Sequence, residues 1–140
     1  MISKNISYKE AVFSATANRI GIENKPNKEQ LKCMKAIAEN VFEPLRKHFN
    51  NKPIRVSSFF RNEATNKAIK GSKTSQHVKG QAMDLIAIDG STNAEMYYYI
   101  RDNLEFDQLI WEYGNEIECA WVHVSFRENI YNRKQTLLIK

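Results

Sequence analysis

Two cysteines, three prolines and five glycines are few for a chain of 140 residues. Cys33 and Cys119 lie far apart and form no CxxC pair, which argues against a cysteine-rich zinc ribbon or finger. Two reduced, buried thiols are expected, and a single Cys33–Cys119 disulfide is the alternative. Proline and glycine do not gather into a linker-like run, and there is no internal repeat. The chain therefore reads as one compact unit, with residues 1–140 as a single domain. No stretch approaches the roughly twenty apolar residues that a membrane span requires. The opening Met1-Ile2-Ser3-Lys4-Asn5-Ile6 is followed by no apolar run, so a secretory signal is not visible. Two routes stay open: action in the cytoplasm, or phage-type or other non-classical release to a cell wall.

Against these absences stand seven Phe, six Tyr and two Trp, with apolar residues making up 42% of the chain. That is enough to build a real core, and it excludes a disordered or low-complexity chain. The formal charge of +5 attracts polyanions such as nucleic acid, anionic wall or anionic lipid without sequence preference. Lys and Arg are spread along the chain, so no specific nucleic-acid role is read from them.

The patterning predicts helices alternating with short strands. Residues 8–18 read as a short helix. Residues 28–43 read as a longer one, opened by an Asn27–Gln30 capping box and carrying Leu31, Met34, Ile37, Ala38, Val41 and Phe42 at helical spacing. Pro44 should kink or restart it near Glu43. A strand is expected at 54–57, a helix at 61–69 with Ala64 and Ala68 on one face, and a polar loop at 71–79. A strand at 81–88 follows, then a helix capped by Thr92 and Glu95. Strands at 106–113 and 119–126 should form an antiparallel hairpin, and 134–140 an edge strand. The sum is an α+β fold with helices packed on a small antiparallel sheet.

Three polar residues interrupt apolar or loop contexts. Asp84 lies inside Ala82-Met83-Asp84-Leu85-Ile86, where a carboxylate is costly unless paired or bound to metal. His123 breaks Trp121-Val122-His123-Val124, and His77 stands in the polar segment before Gly80, whose freedom lets the chain turn. Two imidazoles and a carboxylate are a donor set for a catalytic zinc site, which keeps a fourth position open for water. A hydrogen-bonded core histidine and a turn-closing or arginine-paired aspartate are the plainer readings of the same residues. His48 reads as an ordinary surface histidine near a helix end.

The segment Ser75-Gln76-His77-Val78-Lys79-Gly80-Gln81-Ala82-Met83-Asp84 resembles the Ser-x-His-x-x-Gly-x-Ala-x-Asp motif of the peptidase M15 group, the zinc D-alanyl-D-alanine carboxypeptidase and phage endolysin family, closest to its M15A branch. The Trp121–Ser125 strand, the Ser58-Phe59-Phe60-Arg61 segment and Asn66 resemble further family features, and the likeness runs over residues 7–126. It implies a hedgehog/D-Ala-D-Ala peptidase-like fold, a zinc ion on His77, Asp84 and His123, and hydrolysis of amide bonds in peptidoglycan stem peptides containing D-amino acids. It also implies that Arg61 orients a carbonyl or carboxylate of the substrate and that Ser75 contacts substrate or supports the ligands. A monomer is expected.

The sequence departs from the family at Ala120, where many members carry an acidic residue three positions before the last histidine. If 108–113 pairs with 120–125, Glu112 lies opposite Trp121 and Ile110 opposite His123, which puts Glu112 on the face of His123. Glu112 is therefore the expected general base, with Glu116 and Glu118 in the turn as runners-up. Two other functions remain open: a zinc-containing, non-catalytic binding module for wall or protein, and a component of a phage-like particle.

Overall fold

The computed structural model describes residues 1–140. Five strands form one sheet in the order β1-β2-β4-β3-β5, where β1 is Ile54–Ser58, β2 Ala82–Ala87, β3 Gln108–Glu112, β4 Trp121–Ser125 and β5 Gln135–Ile139. Neighbouring strands β1 to β3 pair antiparallel, but β5 runs parallel to β3. The α+β fold and the edge strand near 134–140 are as expected, but the sheet is mixed because that last strand runs parallel. The chain crosses from β4 through residues 126–134 and enters β5 in the direction of β3, held there by Lys134 N–H to the Phe106 carbonyl and Gln135 N–H to that of Asp107.

Strand alternation sorts the sheet into two faces. Met83 and Leu85 of β2, Leu109 and Trp111 of β3, and Val122 and Val124 of β4 are buried in the hydrophobic core. Helix α6 (Asn93–Asn103) packs across β2, β3 and β4 on this side. Each of these large side chains contributes on the order of 1.5–3 kcal/mol by leaving water. The opposite face carries Asp84, Ile110, Glu112, Trp121 and His123, because directly paired residues and residues two apart share a face.

The capping boxes predicted at Asn27–Gln30 and Thr92–Glu95 both form. Helix α3 (Lys28–Ile37) restarts at Glu43, as expected. It passes through a π-helical turn, Ala38–Phe42, in which the Glu43 N–H reaches back five residues to Ala38, and continues as α4 (Glu43–His48). Pro44 has no N–H to give to the usual partner four residues earlier, so the wider turn accommodates it.

The helix expected over 8–18 is two, α1 (Tyr8–Ala11) and α2 (Ala15–Ile20), because Ser14 caps the second through the Ala17 N–H. The helix expected from Arg61 begins later, as α5 (Glu63–Ala68), with Asn62 as its cap. Ala64 and Ala68 are exposed on it, and Thr65 and Asn66 are the buried pair. Both cysteines are free thiols, Cys119 buried and Cys33 half-buried. His48 is exposed, as expected, and stacks on Tyr99. No helix is long and apolar enough to cross a membrane.

Candidate metal centre

Strand register brings two of the three expected ligands together. Asp84 of β2 pairs directly with His123 of β4, and His123 Nδ1 stands 3.0 Å from Asp84 Oδ1. The third arrives from a short 3-10 turn, Gln76–Lys79, that precedes β2. Ser75 caps this turn by accepting the His77 N–H, and Gly80 ends it at φ +74°. A side chain at Gly80 would meet the Gln30 carbonyl at 2.6 Å, so the turn sits hard against α3. His77 Nε2 lies 3.4 Å from the same Asp84 oxygen.

The tautomer of His77 decides what this cluster can do. Its Nδ1 is 2.7 Å from the Phe59 carbonyl, which can only accept, so Nδ1 carries the proton. Nε2 is then the atom that meets Asp84, donating to the carboxylate when protonated and offering its lone pair to a cation when not. Burial alone would raise the Asp84 carboxyl, but the two imidazoles facing it hold it well below the usual carboxylate range, so it is ionised at neutral pH. The donor atoms of His77, Asp84 and His123 all lie within 4.8 Å of one another. Tetrahedral zinc bonds of about 2.0–2.1 Å put neighbouring donors about 3.3 Å apart, close to the 3.0 and 3.4 Å that separate Asp84 from the two imidazoles. The three residues are positioned to bind a metal, and the carbonyl that orients His77 is the usual second partner of a ligating histidine.

The cluster opens onto a cleft of about 900 Å³. Arg61, Ser75 and Glu112 line it together with His77, Asp84 and His123. Buried Asn24 fixes the chain on both sides of Arg61, donating to the Phe60 carbonyl and accepting the Asn62 N–H. Arg61 Nη2 donates to the Ser75 hydroxyl at 3.3 Å, and its Nε has no partner. Burial pushes the Arg61 guanidinium down, and the charges of Asp84 and Glu112 pull it back.

The hairpin register is the expected one, with Ile110 opposite His123 and Glu112 opposite Trp121. Glu112 Oε2 accepts the Trp121 indole N–H at 2.6 Å, which fixes the carboxylate within the cleft. The two runners-up are elsewhere. Glu118 accepts the Asn93 and Ala94 N–H groups at 3.0 and 2.7 Å and so caps α6. Glu116 is exposed on the turn and lines no part of the cleft.

Sequence reasoning assigned no role to Asp107, Gln76, Arg127 and Arg133, which also line the cleft. Asp107 is fully buried. Burial by itself opposes its ionisation, but hydrogen bonds from Arg133, with the charges of Arg133 and Arg127, bring its pKa down to about 2. A carboxyl whose folded value lies below its unfolded value of about 3.9 adds stability above that pH. The contribution is lost as pH falls from about 4 through about 2. Denaturant midpoints of the parent and Asp107→Asn should therefore differ by a constant amount above about pH 5 and converge through that window. A gap that persists unchanged at the lowest pH would show that the charge is not what matters.

An α+β protein in which a carboxylate and two imidazoles, positioned to bind a metal, line an open polar cleft carries the donor set that metal-dependent hydrolases use. The chain belongs to the peptidase M15 family: the family model described as Peptidase M15 matches residues 4–125, close to the span over which the motifs resemble that family. No curated protein matches the chain. Membership points to a peptidase acting on a peptide substrate.

Proposed function

We propose that this protein is a zinc-dependent peptidase that hydrolyses amide bonds in peptidoglycan stem peptides, with residues 1–140 forming one domain that acts as a monomer. The observation that carries the reading is the convergence of His77, Asp84 and His123, whose donor atoms lie within 4.8 Å of one another on the lining of the cleft. Zinc held there would polarise a carbonyl and lower the pKa of water.

The chain's own residues supply the rest. Glu112 Oε2 is occupied by the Trp121 indole, which leaves Oε1 to take the proton of the attacking water and return it to the leaving amine. Arg61, half-buried and braced by Ser75, holds positive charge where oxygen charge develops and orients the peptide carbonyl or carboxylate. Ser75 serves both neighbours, capping the His77 turn and placing the Arg61 guanidinium. A net positive charge of +5 suits an anionic wall.

Ala120 favours a second reading, a zinc-containing module that binds without cleaving. Defined muropeptides and D-Ala-D-Ala peptides, followed by mass, separate the two. We expect amide release that chelation abolishes and zinc restores, and an Arg61→Ala protein that loses more turnover than metal. Zinc-loaded protein that leaves both free peptides and intact sacculi untouched is a binding module.

A further inference from the structure

The cleft extends beyond the metal-ligand cluster to a second group of charges that the catalytic reading leaves unused. Asp107 immediately precedes β3. Arg133 donates to it from Nε and Nη2 at 3.0 and 2.7 Å, and Arg127 Nε stands 3.2 Å from the same carboxylate. Gln76, next in the chain to His77, donates to Asp107 Oδ2 at 3.1 Å.

Two guanidinium groups against one buried carboxylate leave one positive charge in excess. The excess is open to the cleft, since the Arg133 and Arg127 side chains keep 49% and 27% of their exposure while Asp107 keeps none. Arg127 Nη2 is tied to the Tyr131 carbonyl, which fixes this guanidinium on the cleft lining. Arg127 Nε and Gln76 Oε1 are buried without a hydrogen-bond partner. A structural ion pair that only fastened β5 would need one arginine, not two. Both arginines also lie past residue 125, where the family match ends.

We infer that Arg127 and Arg133, braced on Asp107, form a carboxylate-binding subsite of the cleft, so that peptides carrying a free carboxylate at that point are preferred. Arg133 gives its Nε–Nη2 edge to Asp107, and Arg127 turns Nε and Nη2 to Asp107 and Tyr131, so each fixed, planar guanidinium has its Nη1 side left to meet a carboxylate. The distance fits a peptide. Asp107 lies three residues before Ile110, which pairs with His123. At about 3.3 Å per residue this is roughly 10 Å, or about three residues of extended substrate, from the metal ligands. The inference rests on the peptidase reading for its ligand class and gives that site an acidic substrate, with the carboxylate coming from an acidic side chain or from a free C-terminus.

The test is direct binding of short synthetic peptides to the zinc-loaded protein, measured by calorimetry and apart from turnover. One set places a single Glu or its isostere Gln at successive positions along the peptide. A second set compares a free C-terminus with its amide. We expect one carboxylate-bearing peptide to bind about tenfold or more tightly than its neutral partner, the scale of a hydrogen bond to a charged group. Which set shows the preference identifies the source of the carboxylate.

The advantage should shrink as salt is raised and disappear in Arg133→Gln. Should that protein fail to fold, Arg133→Lys keeps the charge but not the fork and should retain only part of the preference. Equal affinity of the parent for charged and neutral peptides in both sets overturns the subsite, even if all are cleaved. A preference left intact in Arg133→Gln, or undiminished in Arg133→Lys, overturns it as well. Discrimination without cleavage of any peptide leaves the subsite standing and removes the peptidase reading instead.

Discussion

Glu112→Gln is expected to keep full zinc occupancy and to slow amide cleavage by about 100-fold or more, the usual scale for positioned acid–base help. Glutamine keeps the size of glutamate and its side-chain oxygen can still accept the Trp121 indole N–H, so the hairpin should not move. What is lost is a group that can take a proton. The reason to look here begins with an absence, since Ala120 has nothing with which to move a proton. Among the carboxylates weighed for the task, Glu118 is committed to the α6 N-terminus and Glu116 is exposed outside the cleft. Asp84 faces both imidazoles and is taken by the ligand set. Glu112 remains, fixed on a strand and on the face of His123. Zinc content by elemental analysis and cleavage of a defined peptide, on the same preparations, check the result. Near-normal cleavage would remove Glu112 from the mechanism, and loss of zinc would make it a ligand.

How far such a site can be read from a sequence depends on the range of the interactions that build it. The capping boxes at Asn27–Gln30 and Thr92–Glu95 are local, three residues across, and both form. The β3–β4 register was legible because a short polar turn, 115–118, leaves one alignment that buries Leu109 and Trp111 with Val122 and Val124. Placing Glu112 beside His123 followed from that alone.

The failures are of two kinds. Ser14 and Asn62 act as caps inside stretches that otherwise keep helical spacing, so one helix is broken and another shortened. The parallel entry of β5 and the Asp107–Arg133 pair are long-range, between residues 27 and 26 apart. No periodicity announces which arginine a buried aspartate will meet. Spacing along the chain gave Asp107, Arg127 and Arg133 no role. The same limit explains α5, where Thr65 and Asn66 rather than the alanines are buried. Asn66 donates to the Ser72 carbonyl and so shapes the loop that leads to Ser75 and His77, a task that apolar spacing does not record.

Asp84→Asn should have the larger effect of the two substitutions: no stoichiometric zinc, and cleavage reduced to background. Asparagine preserves the shape of the carboxylate but not its charge, and a neutral amide is a poor partner for a divalent cation beside two neutral imidazoles. The loss should be confined to the site. Asp84 sits on the face of β2 opposite Met83 and Leu85, so the core packing is untouched, and the backbone pairing with His123 does not depend on the side chain. The expected signature therefore has three parts. Zinc analysis falls from one ion per chain to none. Metal-free parent and variant both unfold cooperatively, the variant at a lower denaturant concentration near neutral pH, because it lacks the stability that a carboxyl held below its usual range supplies. Added zinc stabilises the parent alone, by about 2.7 kcal/mol at a hundredfold excess over its dissociation constant, because only the folded parent binds it. This also separates the variant from Glu112→Gln, which should keep the zinc-dependent stabilisation while losing turnover. Zinc binding and cleavage that survive in Asp84→Asn would mean that the cluster at the base of the cleft is a hydrogen-bonded trio and that the metal, if one is used, is held elsewhere.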